Sequence, residues 1–371
     1  MKNVELNYER MPHGTDCTNL IFLDSAQEIF NAFWQEFNGD NNGESEELVI
    51  VTDTKIATLE CVKPFLLSAK EKKIETVIIE SGEENKTFEN VLKILRKTLS
   101  HSFSRRCTFL ALGGGVISDM TALASSLYKR GARLQIIPTT LLSMADASIG
   151  GKTGCDFDNF KNMLGTFYPA SKIYFSVDFI KTLSKKEFLS GMGEVVKTAL
   201  LYDSELFDIL KNESKKILDR DEKMLSEIVY RCACAKAKIV EQDITEKNIR
   251  RQLNLGHTFG HALESVAGFG VVPHGMAVGW GISRAIQLSQ NLGLCSKEYK
   301  DEVFSLLALY GYETENLPKS IKKCENAQEK LIQAMKQDKK NEQSTIYFIL
   351  QNSLCKTIIT SVDLSAIKAV L

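Results

Sequence analysis

The chain has 371 residues, of which 44% are hydrophobic and 25% are charged, and its formal net charge is -1. The length predicts two domains, and the composition is typical of a globular protein, which excludes a largely disordered chain. Because acidic and basic residues nearly balance, no global field favours nucleic acid or an anionic membrane, so any anionic ligand must be held by local lysines and arginines.

Strands and helices alternate in the predicted pattern of the first half of the chain. Apolar runs predict strands at 47–53, 73–80, 107–113, 133–140 and 172–178. Helical patterns between them cover 59–72, 88–96 and 116–127. This alternation predicts an α/β fold whose N-terminal part is a Rossmann-like nucleotide-binding domain, which we place at residues 1–184.

Gly113, Gly114 and Gly115 end the third of these strands and precede a helical pattern. Glycines in this position let the backbone approach a phosphate group at the amino terminus of a helix. A tight structural turn is the alternative, because three glycines are a weaker signal than the full dinucleotide-binding motif. With two βα units before the loop, we interpret it as a cofactor phosphate site.

A second polar loop, residues 145–154, combines Asp146 and Lys152 with hydroxyl groups and glycines, and Lys161 and Asn162 follow it. Lysines beside glycines and hydroxyls can clamp a phosphate or a carboxylate. A solvated lysine loop is the alternative. The spacing does not match a Walker A motif, which excludes that form of nucleotide binding.

The second half of the chain changes to a helical period. The predicted helices are 187–201, 204–217, 222–240, 257–267, 276–292, 297–310 and 327–336. Two short strands at 344–350 and 357–362 precede a final helix from Leu364. We place a mostly helical second domain at residues 185–371 and expect the active site in the cleft between the domains.

Three of the five histidines fall within 18 positions, from His257 to His274. His257 and His261 are four residues apart in a predicted helix, so they share one face, with Glu264 one turn further on. Buried core histidines with bonded nitrogens are the alternative. The clustering favours a metal or proton-transfer site.

Glu194 and Lys197 also share a helix face, in the segment Gly191-Met-Gly-Glu-Val-Val-Lys. A surface ion pair is the ordinary interpretation of this spacing. The flanking glycines argue against it, because glycine is costly within a helix and suggests that another group approaches closely.

Taken in order, these motifs resemble those of the 3-dehydroquinate synthases, within the sugar-phosphate cyclases. The matching segments are 52–54, 113–116, 130–131, 138–142, Asp146, 150–154, 161–162, 182–183, 193–197, 253–261, 274–278 and 338–340. Together they cover nearly the whole chain, and their order is very specific.

The resemblance implies a lyase that converts 3-deoxy-D-arabino-heptulosonate 7-phosphate to 3-dehydroquinate and phosphate, a step of the shikimate route to chorismate and the aromatic amino acids. In such enzymes NAD+ transiently oxidises a ring hydroxyl, and the ketone acidifies the neighbouring C–H so that phosphate can be eliminated. The ketone is then reduced again, the ring opens, and an aldol step closes the carbocycle. Net redox change is zero.

The resemblance also implies the site residues. One divalent metal, Zn2+ or alternatively Co2+, is expected on Glu194, His257 and His274. The expected catalytic residues are Glu246, His261, Lys197, Lys152, Arg250 and Asn254. The expected substrate-binding residues are Arg130, Asp146, Lys152, Asn162, Lys197, Lys236, Arg250, Asn254, His261 and Lys339. Arg130 is expected to reach the site of a neighbouring subunit, which implies a homodimer.

NAD is the cofactor that the resemblance implies. The expected contacts are Asp53, Glu83, Lys86, Gly114, Gly115, Val116, Asp119, Thr139, Thr140, Asp146, Lys152, Lys161, Phe179, Thr182 and Glu187. Asp53 at the end of a strand can accept a hydrogen bond from a ribose hydroxyl and repel a 2′-phosphate, which favours NAD over NADP. The chain departs from the common pattern at Ser118, Ala145, Ala147 and Asp156.

Three alternatives remain at this point. A related cyclase that makes 2-deoxy-scyllo-inosose or a valiolone uses a substrate without a carboxylate, and Lys152, Arg250 and Asn254 favour the acid substrate because an unpaired buried cation is costly. A metal-dependent polyol dehydrogenase releases NADH. A non-enzymatic metal-binding protein leaves the nucleotide-binding half unexplained.

Cysteine spacing and hydropathy bear on location. The nine cysteines lack the second close pair that a four-cysteine zinc site requires. No apolar segment has the length of a membrane span or the form of a signal peptide. We therefore expect reduced thiols and a cytoplasmic location.

Overall fold

The computed structural model describes residues 1–8, 15–39, 47–158, 160–268, 270–337 and 346–371. The strands are β1 (Lys2–Asn7), β2 (Cys17–Phe22), β3 (Leu48–Asp53), β4 (Glu75–Ile79), β5 (Thr108–Gly113), β6 (Arg133–Pro138), β7 (Cys155–Phe157), β8 (Phe160–Leu164), β9 (Lys172–Phe175), β10 (Ile346–Ser353) and β11 (Lys356–Val362). The α-helices are α1 (Ala26–Gly39), α2 (Lys63–Glu71), α3 (Phe88–Ser100), α4 (Gly115–Leu127), α5 (Asp178–Lys181), α6 (Lys185–Tyr202), α7 (Ser204–Asn212), α8 (Ser214–Leu218), α9 (Glu222–Gln242), α10 (His257–Ala267), α11 (His274–Asn291), α12 (Lys297–Leu309), α13 (Ala327–Gln337) and α14 (Leu364–Lys368). The predicted substrate residue Lys339 lies outside the described residues.

Two compact units make up the chain. The first contains Met1–Leu183 and Leu225–Thr245, and the second contains Ser184–Met224 and Glu246–Leu371. The expected ranges, 1–184 and 185–371, differ from these units at α9. This helix joins the first unit because Tyr230 packs against Phe22 with ring centroids 5.2 Å apart, and Lys236 pairs with Asp146 at 2.8 Å.

A seven-stranded sheet forms the centre of the first unit, in the order β1-β2-β9-β6-β5-β3-β4. All pairs are parallel except β1 with β2. Every residue of β5 is buried, as expected for a central parallel strand covered on both faces. The chain runs from β3 outward to β4 and then returns to β5 on the other side of β3, so the strand order reverses between β3 and β5. In open parallel sheets, ligands bind outside the carboxyl ends of the strands at such a point.

Several elements of the first unit were not predicted. They are β1, β2, α1 and the antiparallel hairpin β7–β8. The edge strand β1 is short and mostly exposed, with the sequence Lys-Asn-Val-Glu-Leu-Asn. It lacks the apolar run that reveals a central strand, and its pairing with β2 depends on tertiary contact rather than on local sequence.

The second unit contains helices and one antiparallel hairpin, β10–β11. The predicted helix 204–217 is wrong as one element, because it is divided into α7 and α8. At Glu213 the backbone leaves the helical conformation, with φ -112° and ψ 19°. The other predicted helices of this half occur within a few residues of their expected bounds. None of the helices among the described residues combines the length and apolar character needed to span a bilayer.

Candidate active site

The three residues expected to bind a metal lie together in the second unit. Their ligand atoms are all within 4.8 Å of one another. Glu194 Oε1 is 3.3 Å from His274 Nε2 and 3.7 Å from His257 Nε2. Two ligands of a tetrahedral zinc ion with bonds of about 2.0 to 2.1 Å are about 3.4 Å apart. One carboxylate and two imidazoles at these distances fit a divalent metal with an open position.

Close packing of α6 against α11 brings Glu194 to His274. A Cβ atom added at Gly193 would lie 2.3 Å from the carbonyl oxygen of Gly275, and one added at Gly275 would lie 1.7 Å from that of Ser190. Only glycine allows the two backbones to approach so closely. The expectation that another group approaches the glycines beside Glu194 is confirmed at Gly193.

Each of the two imidazoles has a partner on its other ring nitrogen. His257 Nδ1 lies 3.2 Å from the carbonyl oxygen of Leu255, and His274 Nδ1 lies 3.4 Å from Glu264 Oε2. Burial alone lowers the pKa of His274, but hydrogen bonds to Glu194 and Glu264 outweigh it and raise that pKa to about 10. Without a metal, His274 is therefore the cation between two carboxylates, and a metal must displace its proton.

Lys197 forms an ion pair with Glu194 inside the second unit. The side chains of Lys197 and Glu194 are only 2% and 1% exposed, so the interpretation as a surface ion pair is wrong. The ammonium group shares the carboxylate with the metal-binding position. It can therefore donate a proton or a hydrogen bond to a group held there.

His261 lies beside the same histidines, with its ring centroid 5.3 Å from that of His257 and 5.9 Å from that of His274. It is exposed, whereas His257 is partly buried. An imidazole in this position can exchange protons with solvent and with a molecule bound near His257. The geometry suits the proton-transfer role expected from the sequence.

Glu246, Arg250 and Asn254 lie around a short 3-10 helix, Ile249–Asn254. Asn254 Nδ2 donates to Glu246 Oε1 at 2.5 Å, and Glu246 has a left-handed backbone with φ 57°. A non-glycine residue in this conformation is strained, which is common where a side chain must be aimed. Arg250 is only 1% exposed, so its charge is buried.

Asp53, Gly114 and Gly115 lie at the carboxyl ends of β3 and β5, where the strand order of the first unit reverses. Gly114 is the N-cap of α4, and a Cβ added there would lie 3.0 Å from Thr140 Cγ2. Asp53 Oδ1 accepts hydrogen bonds from the backbone of Lys55 and Ile56 at 2.9 and 2.8 Å. This carboxylate therefore also fixes the turn after β3.

Lys86 connects two parts of the predicted nucleotide and substrate site. Its Nζ lies 2.6 Å from Asp119 Oδ2 and 2.7 Å from Asn162 Oδ1. Asn162 has a left-handed backbone, φ 50°, and its N–H donates to Asp156 Oδ1 at 2.7 Å. The lysine expected to bind NAD and the asparagine expected to bind substrate are thus joined by one hydrogen bond.

Asp146 and Lys236 form another ion pair of the first unit, at 2.8 Å. Lys236 also donates to the backbone carbonyl of Asp146. The resemblance implies both at the substrate site, but no sequence signal indicates that they contact each other, because they are separated by 90 positions.

Some of the residues expected to bind NAD also stabilise the local fold. Glu187 forms a capping box with Ser184 at the start of α6, and the Thr182 hydroxyl donates to the carbonyl of Phe179 at 2.7 Å. The Phe179 ring is completely buried. The remaining predicted residues lie in the first unit: Glu83, Val116, Arg130, Thr139, Lys152 and Lys161.

Glu264 is the residue that sequence reasoning left without a role. It lies on α10, seven residues after His257, and therefore on the same face of the helix. Its distance from His274 depends on how α10 meets α11, and the sequence does not specify that contact.

Two sequence families match most of the chain. Sequence models of the 3-dehydroquinate synthase N-terminal and C-terminal domains match residues 76–190 and 191–341. The 3-dehydroquinate synthase of Francisella tularensis subsp. tularensis (strain WY96-3418) is 38% identical over 308 residues, which cover 82% of this chain and 84% of that protein.

Two solved structures have the same fold. The 2-epi-5-epi-valiolone synthase of Streptomyces hygroscopicus subsp. jinggangensis 5008, with NAD+ and Zn2+ bound, has a TM-score of 0.82 at 23% identity and covers 98% of this chain and 96% of its own. A 2-deoxy-scyllo-inosose synthase with carbaglucose-6-phosphate, NAD+ and Co2+ has a TM-score of 0.82 at 20% identity, covering 100% and 99%. These likenesses confirm the predicted fold class, and the two domain matches with the 38% identical relative show that the chain belongs to the 3-dehydroquinate synthase family.

Proposed function

We propose that the chain converts 3-deoxy-D-arabino-heptulosonate 7-phosphate to 3-dehydroquinate and phosphate, with bound NAD and one divalent metal, most simply Zn2+. The observation that carries the proposal is the group formed by Glu194, His257 and His274, with Lys197 paired to the same carboxylate. Family membership supplies the substrate and product. When bound, the metal polarises substrate hydroxyls as a Lewis acid.

Residues of the second unit hold and deprotonate the substrate in this proposal. Lys197 and His261 move protons, and Glu246 is held by Asn254 for the same purpose. Arg250 pairs with the substrate carboxylate, because a buried guanidinium is well suited to bidentate recognition of an acid. This last assignment separates the proposed activity from cyclases whose substrates lack a carboxylate.

Residues of the first unit hold the cofactor and the phosphate. The glycines at the start of α4 receive the cofactor phosphates, and Asp53 selects NAD over NADP. Lys152, Lys161 and Asn162 supply the polar groups for NAD and for the leaving phosphate. Lys339 is proposed for the phosphate on the resemblance alone.

A homodimer and a cytoplasmic location are part of the same proposal. The hairpin β7–β8 and the segment that follows it expose several large apolar side chains: Phe157, Phe160, Met163 and Phe167. An exposed group of this kind is typical of an interaction surface. Arg130 has a left-handed backbone, φ 65°, and is exposed, which suits a side chain that serves a neighbouring subunit.

Cofactor stoichiometry tests the activity. One bound nicotinamide both takes and returns the hydride, so NAD+ is needed only in catalytic amount. Incubation of the metal-loaded protein with the heptulosonate phosphate should release many equivalents of phosphate per NAD+, with almost no NADH absorbance. NADH that accumulates in proportion to product, or phosphate that stays on the substrate, would instead establish the polyol dehydrogenase alternative.

A further inference from the structure

We propose that Glu264 is a positioning residue for His274. In this inference the carboxylate holds the Nδ1 proton of the imidazole, so that the Nε2 lone pair faces Glu194 and the metal. The inference rests on the proposed metal site of Glu194, His257 and His274, and it assigns to Glu264 a role that the proposed function does not include.

Two carboxylates face the two nitrogens of one ring. His274 Nε2 lies 3.3 Å from Glu194 Oε1, while its Nδ1 lies 3.4 Å from Glu264 Oε2. A neutral imidazole has one donor and one acceptor nitrogen, and an ionised carboxylate can only accept. With a metal on the Nε2 side, the Nδ1 proton therefore points at Glu264, and a partner of this kind makes the ligand nitrogen more basic.

The ring of His274 is less enclosed than that of His257, although it contacts the rings of His257 and His261. The side chain of His274 is 34% exposed, compared with 12% for His257, and it is the first residue of α11. Glu264 is only 6% exposed, so its carboxylate is fixed by its surroundings. The hydrogen bond to the buried carboxylate therefore adds to these ring contacts in fixing which nitrogen of His274 faces Glu194.

The Nδ1 atom of His257 faces a backbone carbonyl instead of a carboxylate. Its Nδ1 lies 3.2 Å from the backbone carbonyl of Leu255, two residues earlier in the chain. A carbonyl is neutral and cannot be removed by substitution. Loss of Glu264 should therefore disturb the ring of His274 and leave that of His257 in place.

A second group of possible metal ligands includes Glu264. His261, Glu264 and His274 also have ligand atoms within 4.8 Å of one another. An ion on those three residues would bind the Nδ1 side of His274 and remove the Nδ1 proton. The positioning role requires that this proton remain when the metal is bound. The state of Nδ1 in the metal-loaded protein therefore separates the two arrangements.

The test measures metal affinity in Glu264→Ala and Glu264→Gln, by chelator competition with Zn2+ and with Co2+. We expect the alanine variant to bind about 10- to 100-fold more weakly with one ion still bound at saturation. The glutamine variant should lose less, because its amide oxygen still accepts from Nδ1. Glu329→Gln, an exposed glutamate of α13, is the matched control and should bind as the parent does. Circular dichroism shows which variants are folded.

Nitrogen NMR of 15N-histidine protein gives the second measurement. The Nδ1 of His274 should be protonated in the metal-loaded parent and in the glutamine variant. Parent-like affinity in a folded Glu264→Ala protein, or a metal-bound Nδ1, would overturn the inference. Failure of the proposed metal site looks different, because His257→Ala would then keep its full metal content whatever Glu264 does.

Discussion

The Lys86 ammonium and the Asp119 carboxylate form an ion pair inside the first unit, with side chains only 7% and 19% exposed. Burial lowers the pKa of Lys86, but the charges of Asp119 and Glu83 outweigh that effect and raise its pKa above the ordinary value. The lysine therefore stays charged while buried. The attraction between the two charges offsets the cost of removing each of them from water.

Removing one partner of this pair should destabilise the protein strongly. We expect Lys86→Met and Asp119→Asn each to cost about 3 kcal/mol in the free energy of unfolding, because each leaves a buried charge without its partner. The double variant Lys86→Met/Asp119→Asn should lose much less than the sum. Urea denaturation of the four proteins measures the coupling, and additive losses would contradict the prediction.

Alanine at Gly193 should disturb both the second unit and its metal site. The new Cβ would meet the carbonyl oxygen of Gly275 at 2.3 Å, and overpacking of this kind costs about 1 to 3 kcal/mol. Gly311→Ala is the control, because its positive φ of 76° strains an added side chain but no atom lies within 4 Å of the new Cβ. Only the Gly193 variant should bind metal more weakly. Equal metal affinity in both variants would mean that the α6 and α11 contact does not set the site.

Arg250→Ala should reduce kcat/KM for the heptulosonate phosphate by about 10- to 200-fold, since a charged hydrogen bond contributes about 1.5 to 3 kcal/mol. NAD affinity should not change. Arg251→Ala removes the neighbouring, less buried arginine and should have little effect. Turnover of Arg250→Ala within a factor of two of the parent would return the carboxylate-free cyclases to consideration.

Alkaline pH should destabilise the protein through its buried tyrosines. Burial raises the pKa of Tyr202 and of Tyr310 above the ordinary value, so both phenols must stay neutral in the fold. The unfolded chain ionises them near pH 10. Their contribution to stability is therefore complete below about pH 10 and is lost as the pH rises above it.

Denaturant midpoints measured across this pH range check the prediction. Tyr310→Phe is the useful comparison, although it also removes the hydrogen bond from the Tyr310 hydroxyl to Leu210. Its stability should fall less steeply above pH 10 than that of the parent. Identical slopes would assign the alkaline loss to other groups.

The sequence was most informative where local pattern decides the structure. The predicted strand 107–113 and helix 257–267 occur at 108–113 and 257–267, because a continuous apolar run and a helix that begins after Gly256 need no distant partner. The metal-ligand set could be chosen for a similar reason, since histidines are scarce and their spacing is helical.

Contacts between distant segments were not predictable in the same way. The pairing of Lys236 with Asp146 and of Glu264 with His274 depends on how helices meet other elements. The edge strand β1 has too few apolar residues to be recognised before its partner β2 is known. The division into units was missed at α9 for the same reason: a helical period does not reveal which core the helix covers.

The interrupted first unit has a consequence for synthesis. All seven strands of its sheet leave the ribosome before α9 does, and residues 184–224, which belong to the other unit, are made in between. During that interval Phe22 has no Tyr230 to pack against and Asp146 has no Lys236. Domains generally fold as units during translation, but here the nascent first unit must wait with part of its surface uncovered. A ribosome that pauses before residue 225 therefore holds an incomplete nucleotide-binding half.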